Sequence, residues 1–110
     1  MPRKKVVGHL PGAYHICARS INKEWFNLEM DVVWDIFCDY LFLTKHLFGI
    51  QIISFVLMSN HFHLLLYAPD LNISNFMNYF LREVSKELNR HGNRINECFA
   101  KRHCRTYLGD

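Results

Sequence analysis

Two imidazoles, His61 and His63, stand one residue apart in the segment S-F-V-L-M-S-N-H-F-H-L-L-L-Y that runs from Ser54 to Tyr67. Side chains alternate between the faces of a strand, so His61 and His63 point one way and Phe62 the other. Two residues of rise put the rings about 6–7 Å apart on one face, near enough to share a metal ion. The pair also opens an apolar run, where two polar rings are costly without partners. A half-exposed pair of packed histidines is the plain alternative for a bare His-x-His.

The elements that must hold these rings can be read outward from them. Ser59-Asn60 fits a tight hairpin turn, because Asn tolerates the left-handed conformation such turns need. Ile50 to Met58 is then a strand, apolar nearly throughout and expected to be central, and His61 to Tyr67 its antiparallel partner. Ala13 to Arg19 alternates as a first strand after the Pro11-Gly12 break. Ser20 to Trp25 reads as a polar connection. Asn27 is a candidate cap for a first helix, with Glu29 in its first turn. Its apolar stripe is Met30, Val33, Trp34, Phe37, Leu41 and Phe48, opposite Asp31, Asp35 and Asp39, and Gly49 stops it.

Asn72 or Ser74 can cap a second helix with the stripe Ile73, Phe76, Met77, Phe80, Val84 and Leu88, ended by Gly92. Arg82, Lys86 and Arg90 step by four along its flank as a cationic ridge. Cys98 to Leu108 is the candidate fourth strand. The order β-α-β-β-α-β predicts an α+β fold, a ferredoxin-like split βαβ sandwich. Its four-stranded antiparallel sheet would carry two helices on one face.

Composition bounds the function classes. The chain has 110 residues, half of them hydrophobic and 15% aromatic, which suits one domain and excludes a disordered chain. Its apolar runs are strand-sized and its basic N-terminus lacks an apolar signal core, so a cytoplasmic protein without a membrane segment is expected. Cys17, Cys38, Cys98 and Cys104 form no C-x-x-C pair, which leaves free thiols as the default. The net charge of +3 hides an asymmetry: residues 23–72 carry −4 and residues 82–105 carry +4. A basic last third suits a polyanionic partner, and a solvated charged face accounts for it equally well.

Several stretches together carry a resemblance. Pro11-Gly12-Ala13-Tyr14-His15-Ile16 with Arg19, then Val56-Leu57-Met58-Ser59-Asn60-His61-Phe62-His63-Leu64-Leu65-Leu66, then Pro69, Asn72-Ile73-Ser74 and Met77, resemble the REP-associated tyrosine transposases. These belong to the single-tyrosine HUH transposase superfamily. The resemblance runs from about Pro11 to Arg102, and M-x-N-H-x-H-L-L-L is its most specific segment. Ser59 stands where the family usually has proline.

The resemblance implies chemistry on single-stranded or hairpin DNA. Two histidines hold a divalent ion (Mg2+ or Mn2+), and a tyrosine on the following helix attacks the phosphate to leave a 5′-phosphotyrosine. By position, His61 and His63 are the metal ligands. Asn89 matches an asparagine one turn beyond the nucleophile, as a further oxygen ligand or a hydrogen-bonding residue of the interior. The nucleophile position falls on Val84, which cannot attack. Tyr79 is a weak substitute, about 140° away around the helix, and Ser85 lacks an evident base.

Arg82, Lys86, Arg90 and Arg102 are the expected DNA contacts, and Tyr14 a platform for unpaired bases. The family usually continues with a further helical segment, so residues 1–110 read as a single HUH domain truncated at its C-terminus. The leading expectation is therefore a transposase-like DNA-binding protein with impaired cleavage and rejoining, as a monomer or a homodimer. A non-enzymatic module for single-stranded DNA or RNA is the alternative, and a small structural protein with packed histidines the third reading.

Overall fold

Alternation along the first strand, β1 (Gly12–Arg19), buries Tyr14, Ile16 and Ala18 and leaves His15, Cys17 and Arg19 on the opposite face. A computed structural model of the chain describes residues 11–20, 28–69, 72–92, 99 and 103–109. The elements after β1 are α1 (Met30–Phe48), β2 (Gln51–Leu57), β3 (His61–Ala68), α2 (Ile73–Gly92) and β4 (Cys104–Gly109). The strands form one sheet in the order β2-β3-β1-β4, and every neighbouring pair is antiparallel. The predicted split βαβ order and α+β class are what the chain adopts.

The β2–β3 turn closes over Ser59 and Asn60, with Met58 N–H donating to His61 C=O at 2.8 Å. Gly49 ends α1 in the left-handed region at φ 67°, its N–H returning to Lys45 C=O. The predicted stripe of α2 is its buried face residue for residue. Phe62, Leu64 and Leu66 of β3 meet this face, and Phe37 of α1 completes an aromatic core with Phe62 and Phe80 at ring distances of 5.3 and 5.9 Å. Both helices therefore cover the same face of the sheet.

Three expectations are corrected. β2 is an edge strand and not a central one: its apolar side chains are spread over both faces, and Ile53 is 55% exposed beside a register shift between Ile52 and Ser54. α1 presents a rotated face, with Ile36 and Thr44 buried, while Met30 and Trp34 are 42% and 44% exposed. The Thr44 hydroxyl satisfies itself on Tyr40 C=O, which makes its burial tolerable. Glu29, without a side-chain cap bond, occupies the N-cap position of α1, and Asn27 lies outside the described residues.

Asn72 precedes α2, but its amide donates to Phe48 C=O at 2.7 Å, tying the start of α2 to the end of α1 in place of capping. The start of the predicted fourth strand, Cys98, also lies outside the described residues. Among the described residues no helix is long and apolar enough to cross a membrane.

Candidate functional site

The face of the sheet away from the helices carries the chemistry. His61 and His63 project from it together, with ring centroids 5.1 Å apart and planes at 83°. Phe62 between them is fully buried on the other side. Asn60 Oδ1 lies 2.8 Å from His61 Nδ1. An amide oxygen only accepts, so this contact is a hydrogen bond in the tautomer of His61 with its proton on Nδ1, which leaves Nε2 with the free lone pair. The turn that supplies Asn60 is fixed from behind, because Ser20 N–H donates to Asn60 C=O at 2.7 Å.

His63 has a different partner. Its Nδ1 lies 3.1 Å from His15 Nε2, and the two rings stack at 5.1 Å with 20° between planes. In the β1–β3 register His63 faces Cys17 and His61 faces Arg19, so His15 and His63 are diagonal neighbours. His15, His63, Leu65, Val56 and Leu108 line a shallow depression of about 460 Å³ on this face. Arg19 is exposed and is the cross-strand partner of His61, with no acidic partner among the described residues.

The donor set suits a metal as a pair of ligands. A ligating histidine ordinarily hydrogen-bonds through its other nitrogen, as both rings do here. No group of three or more His, Cys, Asp or Glu side chains among the described residues is arranged to hold an ion. Among the described residues the two imidazoles therefore stand as a pair, and oxygens from substrate or water are the kind of ligand that would complete a coordination shell.

Residues 12–107 match the family of IS200-like transposases. The chain belongs to that family.

Two solved structures share the fold of this IS200-like transposase chain. A REP-associated tyrosine transposase bound to a REP hairpin superposes with a TM-score of 0.72 at 13% identity, over 100% of this chain and 62% of that one. A candidate transposase from Deinococcus radiodurans R1 gives a TM-score of 0.68 at 16% identity, over 100% of this chain and 86% of the other. No curated protein matches.

In this transposase-family chain the remaining expected site residues sit elsewhere. Val84 is fully buried in α2 among the core residues beneath the sheet. Tyr79 lies against Phe48 of α1 at 6.0 Å, with the Arg82 guanidinium 5.3 Å from its ring. Asn89 is also on α2, so the sheet lies between all three and the imidazoles.

The ridge of Arg82, Lys86 and Arg90 is exposed on that helix and ion-paired. Glu83 takes Arg82 and Lys86 at 3.4 and 3.3 Å, and Glu87 takes Arg90 at 2.6 Å. The Arg90 hydrogen bond holds the Glu87 carboxyl below its usual range. Arg102 lies outside the described residues.

Tyr14 corrects another expectation. It is 0% exposed, since its strand position faces the helices, and it cannot stack on a base. Tyr107 packs on it at 5.1 Å and donates its hydroxyl to Pro11 C=O at 3.0 Å.

Sequence reasoning did not single out His15 or Arg19 as site residues. Both share the strand parity of Cys17, but only the β1–β3 register reveals that they meet His63 and His61. A further polar pair lies at β4. The Arg105 guanidinium donates to His103 Nε2 at 2.8 Å, and burial with that cation pushes the imidazole down to about 4.

Proposed function

We propose that this chain binds single-stranded DNA across its open sheet face, with His61 and His63 as ligands of a divalent ion and Arg19 as a phosphate contact. The observation that supports this most is the pair of Nε2 atoms without a hydrogen-bond partner among the described residues, on a face that no described helix covers. Imidazole suits Mn2+ better than Mg2+. Such an ion, when bound, neutralises charge on phosphoryl oxygens. The chain's own contribution is to orient both rings through Asn60 and His15 and to offer Arg19 to the backbone. Val56, Leu65 and Leu108 supply an apolar floor against which bases can pack.

Cleavage is the impaired part of this reading. Among the described residues no tyrosine hydroxyl stands beside the histidines. Tyr14 is buried, Tyr79 belongs to the helical layer, and Tyr107 is bonded to Pro11. Tyr67 shares the open face but lies four residues along β3, about 13 Å from His63. That distribution also favours a second reading, a non-enzymatic module for single-stranded DNA or RNA. Arg82, Lys86 and Arg90 would reach DNA only by exchanging Glu83 and Glu87 for phosphate, a smaller gain than at Arg19, which has no acidic partner among the described residues.

Fluorescence anisotropy with a labelled DNA hairpin carrying a single-stranded flank, beside its RNA counterpart, tests the proposal. A hairpin is the natural probe because the solved REP-associated relative was bound to one. Affinity is expected to fall steeply with salt and to prefer DNA, and no covalent adduct should survive denaturation with Mn2+ present. Binding that ignores salt, or no binding, contradicts the function. An adduct lost on Tyr79→Phe contradicts the impairment, and RNA preference supports the second reading.

A further inference from the structure

The contact between His15 and His63 orients a ring in the proposed function, and its protons decide whether that orientation leaves a metal-binding lone pair. A neutral imidazole has one N–H donor and one lone-pair acceptor, and which nitrogen carries the proton is set by the bond the other makes. At 3.1 Å from His15 Nε2, His63 Nδ1 is a donor or an acceptor, with opposite consequences at the open face. As donor it leaves the Nε2 lone pair free to ligate. As acceptor it places the hydrogen on Nε2 and closes the ring to metals.

We propose that His15 is a positioning residue that holds His63 as its Nδ1-protonated tautomer and aims Nε2 at the open face. The inference rests on the reading of His63 as a metal ligand, and gives His15 the part that Asn60 plays for His61. Three features support it. Both partners are half-buried on the same face, which no described helix covers, so the bond is not there to satisfy an interior polar group. The rings stack at 20°, which restrains rotation of His63 about its ring axis. His15 comes from β1, a central strand paired on both sides, and so offers its acceptor from a rigid element. An apolar ring would serve packing alone as well.

The test reads the tautomer directly. Long-range 15N–1H correlation NMR of the metal-free protein is expected to show His63 protonated on Nδ1. His15→Phe keeps the stack and removes the acceptor, so the Nδ1 preference should be lost and Mn2+ affinity should fall about 10- to 100-fold, with little change in Tm. His15→Gln restores an acceptor and should recover both signals. A wild-type His63 protonated on Nε2 overturns the inference, whether or not the variants fold. So does an unchanged tautomer in a folded His15→Phe. An Nδ1-protonated His63 in a protein that binds no Mn2+ supports the positioning role and overturns only the metal reading.

Discussion

His103 shows how one contact sets a pH response. Its Nε2 accepts from Arg105 at 2.8 Å, and protonation would set two cations against each other in a half-buried place. The folded imidazole titrates near 4 against 6.5 for the free side chain. Between those values the unfolded chain takes up a proton that the folded chain refuses. Stability therefore falls as pH drops from about 6.5 to about 4, by about 1–2 kcal/mol once solvent screening of the half-buried ring is allowed for, and is unaffected above that window. Urea unfolding at about pH 4.5 and about pH 7.5 should show this loss shrinking in His103→Gln, which keeps an acceptor and cannot charge. An unchanged loss would remove His103 from the account.

At the scale of elements, Gly12 makes a specific demand. Its φ is 146°, and an added Cβ would lie 2.5 Å from Gly109 C=O and 2.7 Å from the Tyr107 ring. Gly12→Ala must push β4 off β1 and is expected to destabilise by about 1–3 kcal/mol. Gly109→Ala, at φ 105° with nothing near its Cβ, should cost less, through backbone strain alone. Equal losses in denaturant melts of the two variants would contradict the crowding described at β1–β4.

The elements also show what the sequence makes legible. The apolar stripe of α2 is regular and its other faces are polar, so periodicity alone identifies its buried side. α1 carries exposed Phe42, Leu43 and Leu47 besides its buried residues, so its pattern leaves the inward face to tertiary packing. β2 has apolar side chains on both faces, a composition shared by central strands and by uncovered edges. The parity of His61 and His63 was readable from spacing. Their partner His15 was not, because a diagonal contact across β1–β3 depends on register.

For the whole molecule, the proposed function rests on the division of faces. The helices and the core occupy one side of the sheet, and the imidazoles, the apolar depression and Arg19 occupy the other. DNA lying on the open face should lose about one unit of log–log salt slope in Arg19→Ala. Lys86→Ala, on the helical layer and paired with Glu83, should change the slope little. A reversed ranking in salt-titrated anisotropy would move the DNA to the helices.

Substoichiometric Mn2+ added to the 15N-labelled protein tests the metal-bearing open face most directly. The ion broadens nearby amide resonances, and the account predicts loss of His61, His63, Cys17 and Arg19 while α1 and α2 stay sharp. Broadening centred on Asp31, Asp35 and Asp39 of α1, or spread evenly over the chain, would contradict it.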